Sequence, residues 1–200
     1  MYLNKNEIES HLKSENLHIR PLLDNSQVTS ISVDLRLGCD FLVSIKCRDP
    51  FIDATRESDA FENIYKFYQE TRRQIGETFF LHPNQTIMAS SLEYIKLPAD
   101  LAAIIDIRSS YARMGLTMNS SLEPGYCGCV SIVLTNTSMN PIKLTVGTRL
   151  FSIKFVKVSN DTPGYFENRR KYMCQVRPVL SNVFEDKDLL HLEKIRIDKL

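Results

Sequence analysis

Net charge is almost absent from this sequence of 200 residues: 25 Lys and Arg stand against 24 Asp and Glu, a formal charge of +1. A chain so balanced has no global attraction for a nucleic-acid polymer or a membrane surface, so a phosphate-bearing ligand needs a local site. Long apolar runs are missing too. None approaches the roughly 18 residues that span a bilayer, and the opening segment, 1–14, is polar and amphipathic, unlike a secretory leader. Cysteine is sparse. Cys39, Cys47, Cys127, Cys129 and Cys174 are odd in number and lack the spacing of a disulfide framework, which points to a reduced, cytoplasmic setting. Cys127-Gly128-Cys129 has no nearby histidine to complete a zinc set, so no zinc is expected. On a strand its two thiols share one face, as small core residues.

Apolar residues make up 43% and charged residues 24%, the balance of a globular chain, and the length suits one domain over 1–200. A short helix is expected at the start, capped by Asn4 with Glu7 three residues on, its buried stripe formed by Ile8 and Leu12. Ser30–Leu37 alternates apolar and polar residues as a half-buried strand ending at Gly38, with Phe41–Ile45 as its hairpin partner. Phe61, Ile64, Tyr65 and Tyr68 have helical spacing within Ser58–Gln74. Short strands follow at Thr86–Ser90, Glu93–Leu97, Ala102–Ile107, Cys129–Thr135 and Thr148–Val156, with turns at Pro124-Gly125 and Asn140-Pro141. Many short strands with few helices predict a mainly β sandwich or barrel with peripheral helices. At the end, Leu189, Leu192 and Ile195 with Leu190 form an amphipathic stripe within Asp186–Leu200, suited to packing on the body or on a neighbouring subunit.

The stretch Arg108-Ser109-Ser110-Tyr111-Ala112-Arg113 concentrates two guanidinium groups and two serine hydroxyls between apolar runs. Arginine offers a rigid fork of donors and serine a compact hydroxyl, the equipment for holding phosphate oxygens. The same composition also suits an exposed polar turn. Asp34, between Val33 and Leu35, reads either as a solvated residue or as a support for a site.

Several motifs in order along the chain resemble the dCTP deaminase family. They are Ser32-Val33-Asp34-Leu35-Arg36-Leu37-Gly38, the RSSYARMGL stretch from Arg108, Glu123-Pro124-Gly125-Tyr126-Cys127-Gly128, Gly147-Thr148-Arg149-Leu150, and Lys171-Tyr172 with Gln175. The resemblance implies a distorted β-barrel or jelly-roll of the dUTPase-like, β-clip kind. It implies a homotrimer with sites between subunits, a pyrimidine deoxynucleoside triphosphate as ligand, and Mg²⁺ bound through the triphosphate. By position, Arg108, Ser109 and Ser110 would hold phosphates and Arg113 would stand beside the reacting base. Lys171, Tyr172 and Gln175 would belong to a C-terminal lid or extension, 165–200, closing over the nucleotide. A closed lid excludes water and strengthens the contacts beneath it.

The resemblance also exposes departures. The family's proton-carrying glutamate, in the strand after the P-G turn, corresponds to Val133, which has no group to move a proton. The segment 116–122 is shorter than the family's active-site hairpin. The strand Gly128–Asn136 is similar to one in trimeric dUTPases, where an aspartate before the turn orients water, and Glu123 takes that place. Three functions follow: dCTP deamination to dUTP and ammonia, dUTPase-like hydrolysis to dUMP and pyrophosphate, or nucleotide binding without chemistry. Arg113 and Glu123 are the candidates for catalysis.

Overall fold

The computed structural model describes residues 1–54, 60–118, 120–159, 171–172 and 174–197. The first part of the predicted Ser58–Gln74 helix, residues 165–170, 173 and 198–200 of the predicted lid, and the side chains of Phe61, Leu189 and Leu190 lie outside the described residues.

Helix α1 (Lys5–Lys13) begins as its sequence dictates. The Asn4 side chain accepts from the Glu7 amide at 3.1 Å and the Glu7 carboxylate accepts from the Asn4 amide at 2.9 Å, so two orphan donors are satisfied at once. Ile8 is fully buried and Leu12 packs against the core. The strands are β1 (His18–Arg20), β2 (Val33–Ser44), β3 (Tyr68–Arg72), β4 (Thr78–Leu81), β5 (Thr86–Lys96), β6 (Leu101–Ile107), β7 (Leu116–Thr117), β8 (Ser120–Leu122), β9 (Cys127–Asn136), β10 (Ile142–Thr145) and β11 (Arg149–Lys157). The helices are α2 (Ala60–Lys66), α3 (Ser109–Ala112) and α4 (Lys187–Ile197). Nine strands form one sheet in the order β7-β9-β5-β2-β11-β6-β8, with β1 beside β5 and β3 beside β2, and β4 pairs with β10. All pairings are antiparallel.

The sheet curls because β2 belongs to two halves. Val33–Arg36 pair with β11, whereas residues from Leu37 to Val43 pair with β5, with a register shift between Leu37 and Phe41. The expected stop at Gly38 is instead a corner, and the predicted hairpin partner is the continuation of the same strand. A Cβ on Gly38 would lie 2.7 Å from the Ser90 carbonyl oxygen, so only glycine lets β2 pass this close to β5. Inside the curl lie the buried side chains of Val33, Leu35, Leu37, Ile105, Val130, Ile132, Phe151 and Phe155. The predicted mainly β, distorted barrel-like fold with peripheral helices is thus realised as a curled half-barrel sheet.

Two further elements differ from expectation. The helical pattern of Ser58–Gln74 ends at Lys66, and Tyr68–Arg72 becomes β3 by pairing with Asp40–Ser44 along β2. An open strand edge overrides local helical spacing there, and Arg72 adds an ion pair to Asp40 at 3.1 Å. The two strands expected at 86–90 and 93–97 are one strand, β5, with a bulge between Ser90 and Tyr94. The polar run that looked like a break is buried and bonded: the Ser91 hydroxyl donates to the Glu93 carbonyl at 2.7 Å and accepts from the Val130 amide at 2.8 Å.

Candidate active site

The predicted site residues fall into two groups. The first surrounds α3, a single turn that follows β6 directly. Arg108 is extended, its amide donating to the Leu150 carbonyl at 3.0 Å while its own carbonyl opens the turn. Its guanidinium lies 3.3 Å from the Asp34 carboxylate, and its Nη1 donates to the Arg149 carbonyl at 3.1 Å. Ser109, Ser110 and Arg113 are exposed. Asp34 is therefore not a solvated residue: it is 5% exposed and holds Arg108 from below. Burial raises its pKa, opposed by the charges of Arg108 and Arg149. Arg149, from the G-T-R-L turn, is itself clamped by Asp24 at 2.6 Å and the Ser26 hydroxyl at 2.7 Å. Asp34, Arg149 and Leu150 thus fix the direction of Arg108 and leave the two serine hydroxyls to solvent.

A second layer supports this group. The Gln27 amide donates to the Asp34 carbonyl at 2.8 Å and to the Glu93 carboxylate at 3.0 Å, and the other Glu93 oxygen accepts from the Arg36 amide at 2.8 Å. Glu93 is fully buried, and that burial, only partly offset by these bonds, raises its pKa. Sequence reasoning missed Gln27 and Glu93, since neither belongs to a motif and long-range hydrogen bonding has no periodicity.

The second group lines a cavity of about 590 Å³ between β8, β9 and the C-terminal segment. Glu123, Lys171, Tyr172 and Gln175 all contribute to its wall, beside Ser131 and Val133 of β9. Val133 is 49% exposed and faces this space, paired across the ladder with Met88 of β5, which also lines it. Lys171 is drawn to Asp186 at 2.8 Å, and the Tyr172 hydroxyl accepts from the Asn182 amide at 2.9 Å. Arg108, Ser109, Ser110 and Arg113 do not line this cavity. One chain therefore separates Arg108, Ser109, Ser110 and Arg113 from Glu123, Lys171, Tyr172 and Gln175, so the phosphate candidates themselves are divided between the two groups.

The C-terminal segment is bonded to the start of β9. The Cys174 amide donates to the Cys127 carbonyl at 3.1 Å, and the Cys129 amide donates to the Gln175 carbonyl at 2.7 Å. Gly128, between them, has φ +145°, and a Cβ there would meet the Gln175 carbonyl at 2.9 Å. The Cys127 and Cys174 sulfurs are 3.0 Å apart. Cys127 and Cys129 are both buried, as predicted for small core residues, but Cys127 also faces a thiol partner. Hydrogen bonding to Cys127 raises the pKa of the Cys174 thiol and of the Tyr94 phenol. Of the predicted C-terminal stripe, the described side chains Leu192 and Ile195 are 60% and 51% exposed on α4. Among the described residues no helix is long and apolar enough to cross a membrane.

Known proteins resemble this chain in sequence and in fold. A dCTP deaminase of the dUMP-forming kind from Methanobrevibacter smithii is 33% identical over 193 residues, covering 94% of this chain and 97% of its own. A dCTP deaminase from Idiomarina loihiensis is 31% identical over 193 residues, covering 93% of this chain and 99% of its own. The crystal structure of 2'-deoxycytidine 5'-triphosphate deaminase from Agrobacterium tumefaciens superposes with a TM-score of 0.58 at 23% identity, over 77% of this chain and 46% of that one, a likeness of fold. Residues 2–158 match the family described as dCTP deaminase-like, and the chain belongs to that family.

Proposed function

We propose that the chain binds a pyrimidine deoxynucleoside triphosphate and serves the hydrolytic conversion of a cytosine deoxynucleotide into a uracil deoxynucleotide. The cavity carries this reading, because a carboxylate, a lysine, a tyrosine and a glutamine converge on one wall in a chain of this family. Lys171 supplies a point charge for phosphate, while Tyr172 and Gln175 offer a flat ring and an amide to the base or sugar. Magnesium arrives with the triphosphate as part of the substrate. The separation of Arg108, Ser109, Ser110 and Arg113 from the cavity supports a site completed by a neighbouring copy in a homotrimer.

Deamination adds water to C4 of cytosine and expels the amino group as ammonia, so protons must move from the water to the leaving nitrogen. Val133 has nothing with which to move them. Glu123 is the carboxylate on the cavity wall among the described lining residues, and it is the group we assign to this work. The same carboxylate would orient water toward the α-phosphorus of dUTP, releasing dUMP and pyrophosphate. The relatives named dUMP-forming favour this second reaction. The test is product analysis after incubating purified protein with Mg²⁺ and dCTP or dUTP. Uracil nucleotide from dCTP is expected, with pyrophosphate if hydrolysis follows. Glu123→Gln should lower turnover by about 10²-fold or more while leaving dCTP affinity within a few-fold. Full turnover in that variant overturns the role of Glu123, and binding without turnover in the native protein assigns a sensor instead.

A further inference from the structure

Two thiols, Cys127 and Cys174, take no part in the proposed reaction. Cys127 begins β9 and is 5% exposed, whereas Cys174 is exposed in the C-terminal segment, 47 residues away in sequence. Their sulfurs are 3.0 Å apart, and their backbones are joined by the Cys174 amide to Cys127 carbonyl bond. A disulfide requires sulfurs at about 2.05 Å on close and suitably directed Cβ atoms. The backbone bond holds the two residues side by side, with their sulfurs about an ångström beyond bonding distance. The surroundings give the contact its meaning. Lys171 and Tyr172 precede Cys174 and Gln175 follows it, and all three line the cavity.

We propose that Cys127 and Cys174 form a reversible oxidation site, a covalent latch that pins the C-terminal segment over the cavity. Exposure orders the chemistry. Cys174 gives up its thiol proton as its sulfur attacks the outer oxygen of a hydroperoxide, the O–O bond breaks, and Cys174 becomes a sulfenic acid while the proton leaves with the displaced oxygen as water or an alcohol. The Cys127 sulfur then attacks the Cys174 sulfur and its thiol proton leaves with the displaced hydroxide as a second water. Two thiols are oxidised, one peroxide is reduced, and a dithiol reductant reverses the change by exchange. The cross-link closes a large loop running from β9 through β10 and β11 to the C-terminal segment. It removes the freedom of that segment to leave β9. Slow release of nucleotide from the oxidised form is the consequence, and that consequence alone rests on the site reading given above.

The test oxidises the full chain with hydrogen peroxide and maps peptides without reduction. Expected are a Cys127–Cys174 cross-linked peptide, loss of two of the five thiols, and recovery of both with dithiothreitol. Cys174→Ser and Cys127→Ser should each abolish the cross-link. Hydrogen exchange at the amides of Cys129 and Cys174 should slow by at least about tenfold on oxidation, reporting the pinned segment without any ligand. Thiol loss without that peptide, or a cross-link with unchanged exchange, overturns the latch. A dCTP dissociation rate that falls by about tenfold or more on oxidation supports it, and an unchanged rate in a protein that does bind dCTP overturns the gating role. Failure of both forms to bind dCTP would count against the site reading, with the peptide and exchange data still deciding whether the latch exists.

Discussion

At the scale of single residues, two buried carboxylates set the geometry beneath Arg108. Gln27 joins them, donating to the backbone of Asp34 and to the side chain of Glu93. Replacing Glu93 with Gln puts an amide donor against either Gln27 or the Arg36 amide, so one buried donor loses its acceptor. The expected cost is about 1–3 kcal/mol in urea unfolding at acidic pH. The pH dependence has a definite sign. The folded-state pKa of Glu93 is raised above 4.5, so the folded chain binds this proton more tightly than the unfolded one. Its contribution is complete below pH 4.5 and is lost as pH rises through the folded value. The stability gap between native protein and Glu93→Gln should therefore narrow as pH increases, and a gap that widens would contradict the burial account. Asp34→Asn tests the neighbouring group. It removes the ion pair that directs Arg108, so dCTP affinity should fall by about tenfold, equivalent to roughly 1.4 kcal/mol. Calorimetric titration measures that loss, and affinity equal to the native value would remove Asp34 from the positioning of Arg108.

At the scale of elements, legibility followed how local the determining interaction was. The α1 cap was readable because Asn4 and Glu7 satisfy each other within one turn. Of the alternating Ile31, Val33, Leu35 and Leu37, the last three were readable because they face the interior, whereas Ile31 is exposed and precedes the strand, which starts at Val33 and not at Ser30. β3 was not, because Tyr68–Arg72 is a strand only through its partner β2. β5 read as two strands because its bulge buries Ser90, Ser91 and Glu93, and distant partners such as the Arg36 and Val130 amides help make that polar run tolerable. Gly38 looked like a terminator and is a point of close approach. Gly38→Ala would press a methyl group on the Ser90 backbone, where no flexible side chain can yield. We expect a loss of about 1–3 kcal/mol from overpacking, read as a lower urea midpoint at unchanged slope. A variant as stable as the native chain would mean that β2 can move off β5 at this corner.

At the scale of the whole molecule, the site motifs were visible in the sequence but their grouping was not. Spacing along a chain does not reveal that Arg108 and Glu123 end in different places, since that depends on how β6, β8 and β9 are laid in the sheet. A shared site has a direct test. Arg108→Ala and Glu123→Gln, each weak alone, should regain activity when their subunits are mixed by unfolding and refolding together, because some interfaces then receive an intact half from each. Mixtures no more active than the separate variants would place the whole site within one chain. The two groups are nonetheless tied to a common reference. β2 pairs through Val33–Arg36 with the half of the sheet that leads to Arg108, and through Leu37–Val43 with the half that contains Val133. A strand gripped on both sides acts as a ruler with two scales engraved on it. Inserting or deleting one residue at its corner would turn every side chain of one scale to the opposite face while leaving the other correct. Length in β2 is thus a quantity that selection can read at both groups simultaneously.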